Sequence, residues 1–187
     1  MKKLLTKYLP WIIAALVCLI FGVVFVVNFA MNDTENVETP ELELTAIRKL
    51  RTISDRSKIK AELTRPSQTL PLTLEVVNTP VSLSKGLGDR TEIGSDGMLF
   101  VFQEPTETHF WMYGMLFDLD LIWIKGDTVV EITESVPAPK NAEAQSKSTN
   151  RNLSRYPSPG EIDMVLEVPA GFSREQGILP GDRLLIK

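Results

Sequence analysis

The chain has 187 residues, a formal net charge of −4, one cysteine and one histidine. That length accommodates one domain with attachments rather than several domains. A single cysteine, Cys18, excludes an intramolecular disulfide and a cysteine-based metal site, so a folded domain here relies on its core alone.

At the N-terminus, Lys2, Lys3 and Lys7 precede Trp11–Met31, a run without a charged residue. As a helix rising about 1.5 Å per residue it spans about 31 Å, enough to cross a bilayer core of about 30 Å. A cleaved signal peptide has a shorter apolar region and a small-x-small exit, whereas Asn28 stands here where a small residue is wanted. Cys18 follows Leu16 and Val17, unlike a lipoprotein cleavage site. The sequence therefore predicts an uncleaved transmembrane helix at residues 11–31. Lysines lie before it, and Asp33, Glu35, Glu38, Glu41 and Glu43 after it. This asymmetry predicts residues 1–10 in the cytoplasm and the rest of the chain outside a prokaryotic cell membrane.

Residues 32–65 read as a linker followed by a helical stalk. Thr39 suits a cap, Pro40 the first helical position, and Glu41 and Glu43 the positive end of the helix dipole. Leu44, Ile47, Leu50 and Ile53 form one apolar stripe, and Pro66 ends the helix. Between Thr45 and Arg65 seven basic residues stand against two acidic ones, a net charge of +5. That pattern fits a solvated stalk whose stripe rests on the domain, or a basic amphipathic helix lying on anionic lipid headgroups. The stripe is narrow and lacks aromatics, which favours the stalk.

Residues 66–187 carry 10 basic and 17 acidic residues, a net charge of −7. A nucleic-acid partner is not expected, because phosphate contacts need a basic face. Strand-like runs occupy Leu72–Val77, Met98–Phe102, Phe110–Met112, Leu119–Ile124, Thr128–Ile132, Ile162–Val168 and Arg183–Lys187. Lys125-Gly126-Asp127 joins two of them as a hairpin. Short helices are expected at Ser82–Gly86 and Ser173–Gln176. The predicted domain is α+β and mainly β, a small barrel or two packed sheets of about seven short strands. Pro137–Gly160 is one long loop. Within it, Asn141–Asn150 is expected to be disordered and Tyr156–Gly160 stiff enough to lid a pocket.

Several segments carry a family resemblance. They are Lys85-Gly86-Leu87, Gly97-Met98-Leu99-Phe100-Val101-Phe102, Phe110-Trp111-Met112, Val165-Leu166-Glu167, Ala170-Gly171 and Gly181-Asp182. In this order they resemble domain of unknown function 192, the uncharacterised ACR proteins, from about Leu72 to the C-terminus. The chain departs from the family pattern at Gly88, where methionine is usual, at Tyr113-Gly114-Met115 in place of Lys-Asn-Thr, and at Asp118 in place of proline. The resemblance implies no settled activity. It does imply a frequent signal or anchor segment.

Candidate chemistry is sparse. A hydrolase would use His109 as base and Asp118 or Asp120 to orient it, yet no nucleophile elbow or paired-carboxylate motif accompanies them. One imidazole with Asp118, Asp120 or Glu167 is a poor zinc set, and no dense acidic loop suits calcium. Neither a cofactor nor a metal is implied. Trp111, Met112, Phe117 and Trp123 read as core, or as an aromatic platform for a carbohydrate or a peptide. Asp120 and Glu167 stand among apolar strand residues and must be paired, with Arg90 or Arg183 as mates, or line a pocket. The resulting expectation is a membrane-anchored, non-enzymatic ligand-binding or accessory module of the cell envelope. Its tentative ligand residues are Trp111, Met112, Asp120, Tyr156 and Glu167, and its partner is an envelope protein or a carbohydrate. The alternative is a hydrolase using His109 and Asp120.

Overall fold

In the computed structural model, residues 40–66, 68–140 and 153–187 are described. The predicted transmembrane segment at 11–31 and the loop at 141–150 lie outside the described residues. Among the described residues no helix is long and apolar enough to cross a membrane.

The elements in chain order are α1 (Pro40–Thr52), β1 (Lys58–Arg65), β2 (Gln68–Val77), α2 (Pro80–Lys85), β3 (Gly97–Thr106), β4 (His109–Trp111), β5 (Leu119–Lys125), β6 (Thr128–Val136), β7 (Arg155–Pro157), β8 (Ile162–Pro169), α3 (Phe172–Gln176) and β9 (Arg183–Ile186). Seven strands close into a barrel in the order β1-β2-β3-β8-β5-β6-β9. Pairing of β1 with β9, from Ala61↔Ile186 to Thr64↔Arg183, completes the ring. Of the two architectures the sequence allows, the chain forms the barrel. All neighbours are antiparallel except β2 and β3, which run parallel and are joined by a crossover through α2. At the start of β3 the strands approach closely. A Cβ on Gly97 would sit 2.8 Å from the Glu167 carbonyl oxygen, so a larger residue would push β3 away from β8.

Strand alternation separates two cores. Every barrel strand contributes to the first, which is the interior; Leu63, Leu74, Leu99, Ile122 and Leu166 are buried there. The second lies on the outer face of β3, β5 and β8, around Phe100, Leu121, Trp123 and Val165. Leu87, Ile93, Met112 and Met115, from the segments between strands, cover it.

The predicted stalk is shorter than expected and belongs to the barrel. α1 ends at Thr52, and Lys58–Arg65, read from the sequence as helix, is strand β1. Its alternation was hidden by lysines: Ala61 and Leu63 point into the core, while Lys58 and Lys60 flank them outside. The apolar stripe of α1 does rest on the domain, since Ile47 and Leu50 are buried in the interior core. Leu44, at the helix start, is exposed. Arg51 fastens the helix by donating from Nε to the Phe102 carbonyl at 2.8 Å and from Nη2 to Asp163 at 3.0 Å. Phe102 lies where the β3–β8 register shifts, between Val101 and Thr106, which leaves its carbonyl available. Asn78 donates to the Leu50 and Ile53 carbonyls at 3.0 and 2.9 Å and so satisfies groups that the end of a helix leaves open.

Closure requires β1, and this has a direct consequence. A fragment of residues 66–187 lacks β1 and leaves β2 and β9 as unpaired edges, so it should aggregate or melt without cooperativity. Residues 40–187 should melt in one transition. Circular dichroism melts of the two fragments make the comparison, and a cooperative, soluble 66–187 fragment would refute the requirement.

Candidate functional site

Three segments cover the outer face of β3, β8 and β5, and a cavity of about 250 Å³ remains beneath them, open on one side. Its walls are Phe100 and Phe102 from β3, His109, Phe110 and Trp111 from β4, Tyr113 and Met115 from the following turn, and Lys85, Gly86 and Leu87 from the end of α2. Glu167 of β8 also lines it.

Each wall has a local reason. α2 begins at Thr79 with a capping box shared with Ser82, and Pro80 opens the helix. It stops after one and a half turns at Gly86, whose φ of +50° favours glycine; a Cβ there would also press on the Phe100 ring at 3.0 Å. β4 is held over the barrel by pairing with β7, Phe110 opposite Tyr156. The Phe110 ring stands edge-on to Phe100 at 5.0 Å and to Trp123 at 5.5 Å between centroids. The two covering turns meet where Asp89 N–H donates to the Gly114 carbonyl at 2.7 Å.

Glu167 is the unusual group. It pairs in register with Met98 on one side and Leu121 on the other, so its side chain points outward into the second core. It is 5% exposed, and its Oε2 is buried without a hydrogen-bond partner among the described residues. Burial pushes its carboxyl from the ordinary 4.5 up to about 8, so it is largely protonated at neutral pH. The expected arginine mates are engaged elsewhere: Arg90 binds Glu75 at 2.7 Å, and Arg183 pairs with Asp127.

Asp120 has a different role. It is fully buried and lies on the opposite face of the sheet, paired with Val168 and sharing the interior side with Ile122. Its Oδ1 accepts from the backbone N–H of Ser135 at 2.8 Å and of Gly171 at 3.1 Å, and its Oδ2 from Ser173 at 2.9 Å. Between Leu119 and Leu121 the β5–β6 register shifts, and Ser135 adopts a φ of 55°. The carboxylate thus closes a bulge and caps α3, which has no side-chain cap of its own. Asp120 is thus bonded to the backbone around it, and the sheet lies between it and Glu167.

The other sequence candidates divide. Trp111 is half-buried on the cavity wall, with the Arg155 guanidinium 5.1 Å above its ring. Met112 is core, and with Tyr156 it borders a separate cavity of about 310 Å³ beside Ala138 and Leu153. Trp123 is fully buried and donates from Nε1 to Thr133 at 2.9 Å. His109 is exposed, with its Nε2 against Arg155. The predicted His109–Asp120 dyad is not formed, because Asp120 is buried on the inner face of β5 and His109 stands exposed on the separate β4–β7 ribbon. Among the described residues no group of three His, Cys, Asp or Glu is placed to hold a metal.

Phe102, Thr108 and Tyr113 also line the cavity, and no local sequence pattern marks them as wall residues. Glu75, not singled out from the sequence, is a buried acid bonded to Arg56 at 2.9 Å and to Arg90. The hydrogen bond from Arg90, opposed by burial and helped by Arg56, holds Glu75 below the usual carboxylate range. An acid in the alternating run Leu72–Val77 was the available signal, the same one that singled out Glu167.

The segments that carry the family resemblance, at 85–87, 97–102, 110–112 and 165–167, converge on the Glu167 cavity. A sequence model of the family described as DUF192, uncharacterized ACR, matches residues 61–186. The chain belongs to this family. The match begins within β1 and ends within β9, so it includes the strands that close the barrel. A crystal structure from Sinorhizobium meliloti 1021, described as a candidate transcription regulator, is 28% identical. It aligns over 72% of this chain and 97% of its own, with a TM-score of 0.61. A crystal structure of a protein of unknown function from Novosphingobium aromaticivorans DSM 12444 is 27% identical. It aligns over 71% of this chain and 88% of its own, with a TM-score of 0.59. A search of curated proteins finds no match.

The two buried acids should respond oppositely. Asp120→Ala leaves three backbone donors unsatisfied and should cost on the order of 3–5 kcal/mol of stability. Glu167 binds its proton more tightly folded than unfolded, so stability should fall by a few kcal/mol as pH rises from its ordinary 4.5 through about 8. Glu75 acts below that window, because its carboxyl is held low. Thermal melts across pH should therefore show this decline in the native chain and lose it in Glu167→Gln. A decline that persists in the variant would assign it to another group.

Proposed function

We propose that this chain is a non-enzymatic ligand-binding module of the cell envelope, held at a prokaryotic membrane by residues 11–31, with the barrel outside. The observation that carries the binding reading is Glu167. A polar group buried without a partner costs about 1–3 kcal/mol, and it is tolerated where a ligand completes its hydrogen bonding. The cavity of about 250 Å³ lies just under the usual range for small-molecule sites, about 300–1,000 Å³. A second hollow of about 610 Å³ adjoins it and shares Ser84, Lys85, Trp111 and Tyr113. This arrangement suits the end of a longer molecule, seated in the cavity and continuing across Trp111 as a carbohydrate or peptide does. The hydrolase alternative lacks support, since His109 meets an arginine and Asp120 is committed to backbone donors.

The Sinorhizobium meliloti structure's description raises a second reading, nucleic-acid binding. Charge argues against it here. Residues 66–187 carry −7, and the basic stretch before them is largely bonded to the barrel through Arg51, Arg56, Lys60 and Arg65.

Methyl-labelled methionine resonances of the full chain test the binding reading against a library of small polar fragments. Fragments in the cavity should shift Met115, which lines it, and leave Met164 in the barrel interior unmoved. No fragment shifting Met115 would defeat the reading. The anchor rests on the lysine asymmetry around the charge-free run. Protease added to intact spheroplasts should digest the barrel domain, and protection would place that domain inside.

A further inference from the structure

We propose that the Glu167 cavity recognises a primary ammonium group, the chemistry shared by an amino sugar and a peptide amino terminus. This rests on the binding reading above and names its ligand class. Three observations carry it.

The first is the buried carboxyl itself. Glu167 lies at the floor of a cavity with aromatic walls, 5% exposed, with Oε2 unpartnered among the described residues. A neutral hydroxyl would give it one ordinary hydrogen bond. An ammonium gives a charge-assisted bond of about twice the strength. The second is the wall. Phe100, Phe102, Phe110, Trp111 and Tyr113 line the cavity, and ring faces attract a desolvated cation. The third is the charge around the opening. Among the described residues, the titratable side chains lining the cavity besides Glu167 are Lys85, His109 and Tyr113. The strand neighbours of Glu167, Met98 and Leu121, bring no charge. Lys85 is paired with Asp89, so its charge is already countered. Arg155 lies against His109 and over the Trp111 ring.

The step balances simply. The carboxyl of Glu167 gives up its proton to water as the ammonium enters, and the ion pair remains in the cavity. Burial holds that proton on until about pH 8 in the empty site. Affinity for an ammonium should therefore rise about tenfold per pH unit below about pH 8 and level off above it. One proton should be released per ligand bound well below that pH.

The experiment is calorimetric titration of the full chain with n-butylammonium and with n-butanol, its neutral isostere. Methionine methyl spectra locate the binding. The ammonium should bind at least tenfold more tightly than the alcohol at pH about 8, with the stated pH slope and with heats that depend on buffer ionisation. Glu167→Gln should lose the slope and the preference, while its methionine spectrum reports that it is folded. The native-chain comparison stands even if Glu167→Gln does not fold. Equal binding of alcohol and ammonium, or ammonium binding independent of pH, overturns the inference and leaves a ligand cavity. Neither probe shifting Met115 overturns the inference, and a failed fragment screen as well overturns the binding reading. Glucosamine against N-acetylglucosamine, and alanine amide against its N-acetyl form, then identify which source of the ammonium the site prefers.

Discussion

Strands β3, β8 and β5 bury both faces, and the rest of the molecule follows from that constraint. A closed barrel has to fill its interior, and these three strands do so with Leu99, Leu166 and Ile122. Their outer residues, Phe100, Val165, Leu121 and Trp123, are equally apolar. Exposing such a surface to water would cost on the order of 25 cal/mol per Å². The segments between strands must therefore fold back over one side. The crossover through α2 joins parallel strands and needs length, and the β4–β7 ribbon supplies the remaining cover.

Covering by loops and a ribbon is less complete than covering by a sheet. Side chains that come from three separate segments meet over the strands, and they leave the cavity at Glu167. A carboxyl at that position is costly to the fold. Among the described residues no charge partner relieves its desolvation, unlike that of Glu75, which Arg90 and Arg56 neutralise two strands across the barrel wall. The contrast between these two outer-face acids makes Glu167 a functional candidate and Glu75 a brace. Asp120 falls with Glu75: a buried carboxylate whose geometry is used up by the backbone around it.

The helix α1 packs onto the barrel through Ile47 and Leu50. Its buried face, Arg51 and the Asn78 contacts make it part of the barrel rather than a spacer.

Much of this was legible in the residues themselves. Alternation and turn residues placed most of the strands, the runs of Gly97–Phe102 and Phe110–Met112 carried the family, and apolar neighbours marked Glu167 and Asp120 as buried. These are local properties, set by side-chain polarity and backbone preference over a few positions. β1 escaped because its inward residues, Ala61 and Leu63, are outnumbered by charged neighbours; pairing with β2 along its whole length and with β9 across the closure makes it a strand. β7 escaped because three residues hold no period. The fates of the two acids were also beyond reach. A one-residue difference in register puts Glu167 opposite Leu121 and Asp120 opposite Val168, hence on opposite faces of one sheet. Which face is lined by a bulge's free N–H groups and which by aromatic rings depends on strands and loops up to about eighty residues apart, and only their meeting in three dimensions decided it.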